Sequence, residues 1–73
     1  MRPGDLVKIR PADGTSRLKA WSARGDTMNF FMVPEGSIGT VIEAVASDGV
    51  LWCKVLLTQG IGWIMANNLE VVC

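Results

Sequence analysis

The closing stretch Gly60-Ile61-Gly62-Trp63-Ile64-Met65-Ala66-Asn67-Asn68-Leu69-Glu70-Val71-Val72 constrains this chain more than any other. Two short apolar runs flank a polar break, and asparagine favours local turn bonds over ladder pairing. The pattern predicts a strand over 61–65, a one-turn 3-10 kink at 66–68 and a closing strand over 69–72. Two strands of this length are not stable alone, so their partners must lie upstream.

Three upstream runs qualify. Leu6-Val7-Lys8-Ile9-Arg10 alternates, with Val7 and Ile9 on one face and Lys8 and Arg10 on the other, and Pro11 with Asp13-Gly14 ends it. Ile38 to Val45 is dominated by β-branched residues and closes at Ser47-Asp48-Gly49. Val50 to Leu57 is apolar on both faces apart from Lys54, as expected of a central strand covered on one side by the core and on the other by the long arm of residues 15–36. Thr58-Gln59-Gly60 then turns the chain back antiparallel. The sum is a small all-β barrel of five strands.

Residues 15–36 carry the weaker signal. Leu18 and Trp21 stand at i, i+3 behind Thr15 and Ser16, which a short capped helix would also give. We read a long first hairpin arm instead: Arg17 to Trp21 runs out, Ala23-Arg24-Gly25-Asp26 turns, and the aromatic-rich Met28 to Val33 runs back. Trp21, Met28, Phe30, Phe31, Met32 and Val33 are more large apolar side chains than a solvated hairpin carries. Phe30 and Phe31 point to opposite faces of one strand, so one of them needs a cover from outside.

With 73 residues the chain is a single domain, 1–73, whose core contributes only about 3–5 kcal/mol unless something staples it. There is no His, and Cys53 and Cys73 lack metal-ligand or redox spacing, so neither a metal nor a cofactor is expected. On sequence alone a Cys53–Cys73 bridge stays open, because a middle and a last strand can pair. The start Met1-Arg2-Pro3-Gly4-Asp5 lacks the apolar run of a signal peptide, and no run approaches the ~18 apolar residues that span a bilayer. A soluble, cytoplasmic protein without membrane contact is the expectation.

Net charge is zero, but the charges are divided. Arg2, Lys8, Arg10, Arg17, Lys19 and Arg24 crowd the first third against Asp5 and Asp13, whereas Asp26, Glu35, Glu43, Asp48 and Glu70 follow with Lys54. One reading is a nucleic-acid face in which Lys8, Arg10, Arg17, Lys19 and Arg24 contact phosphates while Trp21 or Trp52 stacks on a base. The other is pairing of opposite charges across neighbouring first and last strands, and the missing basic excess favours it. Catalysis has little to stand on: there is no His or Tyr, Cys53 has only Lys54 beside it, and the carboxylates are scattered singly.

Trp52-Cys53-Lys54-Val55, followed by Gly62-Trp63-Ile64-Met65-Ala66-Asn67-Asn68-Leu69-Glu70, is similar to the tryptophan-led third strand and the closing strand, helical turn and strand of SH3-like barrels. Pro3-Gly4-Asp5-Leu6-Val7 and Gly36-Ser37-Ile38-Gly39-Thr40-Val41 resemble short SH3-like proteins of bacteria and tailed phages. The resemblance implies a noncatalytic interaction module and sets Trp52 where the family grips proline-rich peptides. Met65 stands for the family's proline and Asn68 for its groove tyrosine, so a polyproline groove of the usual kind is not expected. The function expected is binding of protein, self or another, through Trp21, Phe30, Phe31, Trp52 and Trp63, with homo-oligomerisation as one form of it.

Overall fold

The structure is a computed structural model that describes residues 1–22 and 29–72. The strands are β1 Leu6–Ile9, β2 Arg17–Trp21, β3 Phe30–Pro34, β4 Ile38–Ser47, β5 Val50–Leu57, β6 Gly60–Met65 and β7 Leu69–Val71, with a 3-10 turn, η1, at Ala66–Asn68. They form one antiparallel sheet in the order β3-β2-β6-β5-β4-β1-β7. Among the described residues the sheet therefore has seven strands, not five. The arm is not an appendage: its two strands pair with each other from Arg17↔Pro34 to Trp21↔Phe30, and β2 joins β6 at Trp21↔Trp63. The arm's expected tip, Ala23-Arg24-Gly25-Asp26, and Met28 lie outside the described residues.

Alternation decides which face is buried. Val7 and Ile9 of β1, Ala20 of β2, Val33 of β3, Val41 of β4, Cys53, Val55 and Leu57 of β5, Ile64 of β6 and Leu69 of β7 all point inward. The sheet curls around them. Ile9 N–H donates to the Ser37 carbonyl at 2.8 Å, and Gly36 N–H donates to the Ile9 carbonyl at 2.9 Å. These bonds carry the β1–β4 ladder one step beyond Lys8↔Ile38, into the turn after β3.

Several details follow from single residues. Asp48 and Gly49 both take positive φ, 53° and 78°, as the two-residue loop between paired Ser47 and Val50 requires. A Cβ on Gly39 would stand 2.6 Å from Val55 Cγ1 and 2.8 Å from the Leu56 carbonyl oxygen, so only glycine lets β4 run this close to β5. The 3-10 turn is closed by Leu69 N–H donating to the Ala66 carbonyl. Asn68 clips it to the loop after β1, accepting from Ala12 N–H at 2.8 Å through Oδ1 and from Arg10 N–H through its carbonyl.

β5 is central in the sheet, but its outer face is not covered as the sequence led us to expect. Leu56 is 49% exposed, because the arm lies beyond β6 rather than across β5.

Candidate binding surface

The outer face of the arm gathers the residues of interest. In β2 and β3 alternation sends Ala20, Phe31 and Val33 inward, and Lys19, Trp21, Phe30 and Met32 outward. Phe30 is 42% and Met32 40% exposed. Trp21 is half-buried, because on β6 it meets Trp63 in register. The Trp21 and Phe30 rings stand 5.2 Å apart, tilted by 58°, in the offset geometry aromatic pairs prefer. Lys19 Nζ lies 5.6 Å from the Trp21 ring centroid and 4.7 Å from that of Phe30, within cation–π range of both.

The platform continues inward along the register. Trp63 is 9% exposed and forms its floor, with Lys54 Nζ 6.0 Å from its centroid. Beside Trp21 runs an open groove of ≈ 340 Å³ between the arm and the 3-10 turn, lined among others by Arg17, Lys19, Trp21, Met32, Met65 and Asn68. Trp52 stands opposite Met65 on the next strand, half-buried.

Of the residues singled out from sequence, Trp21, Phe30 and Trp63 come together, and Trp52 sits one strand further on. Phe31 belongs elsewhere: it faces inward and packs on the core, its ring against Gly62. Lys19, a phosphate contact in the alternative nucleic-acid reading, lies over two rings. Met32, counted from sequence among the arm's excess apolar side chains, lines the groove, and so does Met65, whose parity with Trp63 was visible in the chain but was not read as a binding signal.

The early cations divide between two places. Lys8 and Arg10 border a shallow hollow at the β1–β7 edge that Glu35 and Glu70 also line. There Arg10 Nη1 lies 2.9 Å from Glu70 Oε2, and Lys8 pairs with Glu70 in register. Arg17 and Lys19 line the groove beside the arm, which Pro11 and Asp13 of the loop after β1 also line. Arg24 lies outside the described residues.

Among the described residues, two titratable groups have shifted affinities for protons. Burial pushes the Cys53 thiol up, against a small opposing pull from the N-terminal charge. Its Sγ is 3.6 Å from Met1 Sδ and it carries a free thiol, so it acts as a core residue; Cys73 lies outside the described residues. The Thr15 hydroxyl and N–H lower the Asp13 carboxyl at the rim of the groove. Among the described residues no helix is long and apolar enough to cross a membrane.

Comparisons with protein-family models, with curated proteins and with solved structures find no match.

Proposed function

We propose that this chain is a small SH3-like barrel that serves as a noncatalytic protein-interaction module of the cytoplasm. The observation that carries the reading is the Lys19–Trp21–Phe30 cluster, with Met32 beside it, on a face the core does not use. Ordered exposed aromatics beside a groove are the anchors that interfaces employ. The curled sheet and the 3-10 turn before the last strand support the SH3-like assignment, and the bacterial or phage source rests on the resemblance alone.

The groove's chemistry selects a ligand class. Met32, Met65 and the Trp21 face suit apolar side chains, and Arg17 and Lys19, which outnumber Asp13 in the lining, suit carboxylates. An extended segment with alternating apolar and acidic residues matches both. A nucleic-acid role draws less support, since Lys8 and Arg10 share their hollow with two glutamates rather than joining the arm.

The test is selection from a random displayed-peptide library, with Phe30→Ser and Lys19→Glu chains as counter-screens. Enriched apolar–acidic peptides that lose at least about tenfold in affinity to either variant support the reading. Failure to enrich any peptide, or peptides that bind both variants as tightly as the wild type, would reject it. Saturable, steeply salt-dependent quenching of tryptophan fluorescence by oligonucleotides would move the assignment to nucleic acid.

A further inference from the structure

β4 and β5 are the longest strands, and together they form a ridge on the outside of the curl. Their outward side chains are matched in register: Thr40 opposite Leu56, Glu43 opposite Lys54, and Val45 opposite Trp52. A bulge between Val41 and Glu43 adds Ile42 to the same face. Leu6 flanks the ridge opposite Thr40, and Ile61 flanks it opposite Leu56. Leu6, Ile38, Ile42, Leu56 and Ile61 are all large aliphatics left exposed here. Monomers seldom leave a run of exposed aliphatics across four neighbouring strands without a use.

Glu43 and Lys54 say what covers it. They face each other in register, yet among the described residues the ion pair within 4 Å is that of Arg10 with Glu70, not theirs. Lys54 leans instead toward the Trp63 ring. A two-fold axis parallel to the strands, between β4 and β5, would lay each β4 residue over the partner's β5. Glu43 would then meet the partner's Lys54, Lys54 the partner's Glu43, and Thr40 the partner's Leu56, with Leu6 and Ile61 at the rim. Such a self-complementary patch is what an isologous contact needs, and strand axes aligned across it agree with aligned sheet packing.

We infer that the β4–β5 ridge is the contact face of a two-fold homodimer, separate from the aromatic face of the arm. Because the ridge is convex and narrow, the contact falls in the small class below about 1,200 Å² in total, and the dimer is weak. It leaves β2 and β3 open, while Lys54 also touches Trp63 of the binding platform; peptide affinity measured on Leu56→Glu, opposite Ile61 rather than Trp63, therefore separates failure of the dimer from failure of peptide binding.

Sedimentation velocity over about 10 μM to 1 mM is the measurement. The wild type should shift from monomer toward dimer with concentration, and Leu56→Glu should stay monomeric. Glu43→Lys and Lys54→Glu should each weaken the dimer about tenfold, since each alone sets like charges together across the axis. Mixing those two chains restores opposite charges at both contacts and should recover wild-type association. A monomer at every concentration overturns the proposal. So does a dimer indifferent to these changes, or a mixture no better than its components. Circular dichroism checks that each variant folds; should a charge-reversed chain fail, Thr40→Glu at the centre of the ridge must abolish the dimer, and a dimer that survives it overturns the proposal equally.

Discussion

Gly62 lies against the ring of Phe31: a Cβ there would stand 3.1 Å from two ring carbons and 2.7 Å from the Cβ of Ala20. The absence of one side chain on β6 is what lets the arm dock on the barrel. Gly62→Ala should therefore destabilise by about 1–3 kcal/mol through overpacking, read as a lower urea midpoint. Gly39→Ala should cost more, because one of its contacts is the Leu56 carbonyl oxygen, which cannot rotate away as a side chain can. Unchanged midpoints would mean that the arm does not seat on Gly62.

Phe30 and Phe31 are neighbours in sequence with opposite tasks. Phe31→Ser removes a ring that packs on the core and should cost about 2–4 kcal/mol. Phe30→Ser removes an exposed ring and should shift stability by less than about 1 kcal/mol while weakening ligand binding. Chemical denaturation of both variants checks the contrast, and equal losses would contradict the assigned faces.

Cys53 should be inert until the chain opens. With Cys73→Ser in place, iodoacetamide should modify the native protein far more slowly than the urea-unfolded chain. Because the folded thiol's affinity for its proton is raised, the unfolded state ionises first. Stability from this group is therefore complete below about pH 8.5 and falls as pH rises beyond it. Native alkylation as fast as unfolded would place the thiol at the surface.

The Arg10–Glu70 pair is a surface pair, its side chains 70% and 46% exposed. Glu70→Gln should cost no more than about 1 kcal/mol, less in high salt. A double-mutant cycle with Arg10→Gln checks this, and a larger coupling would mean that the pair closes the sheet edge.

Much of the fold was legible because alternation is a local signal. Val7 and Ile9 inward, the turn at Asp48-Gly49 and the kink at Ala66–Asn68 each follow from neighbours in the chain. The strand count was not legible, because β2 enters the sheet by a long-range pairing, Trp21 with Trp63, that depends on Gly62 and Ala20 being small. The candidate site was half legible. Parity showed that Phe30 and Phe31 must part, but which of them faces out depends on where β2 docks. Lys19 was visible as a charge, whereas its place over two rings needs the hairpin register.

The most direct test of the binding account is chemical-shift mapping of an enriched apolar–acidic peptide on the 15N-labelled chain. The account predicts perturbations concentrated at Lys19, Trp21, Phe30, Met32, Met65 and the Trp63 indole, with Val7, Val55 and the β1–β7 edge unmoved. Perturbations centred on Lys8, Arg10 and Glu70, with the arm silent, would contradict it.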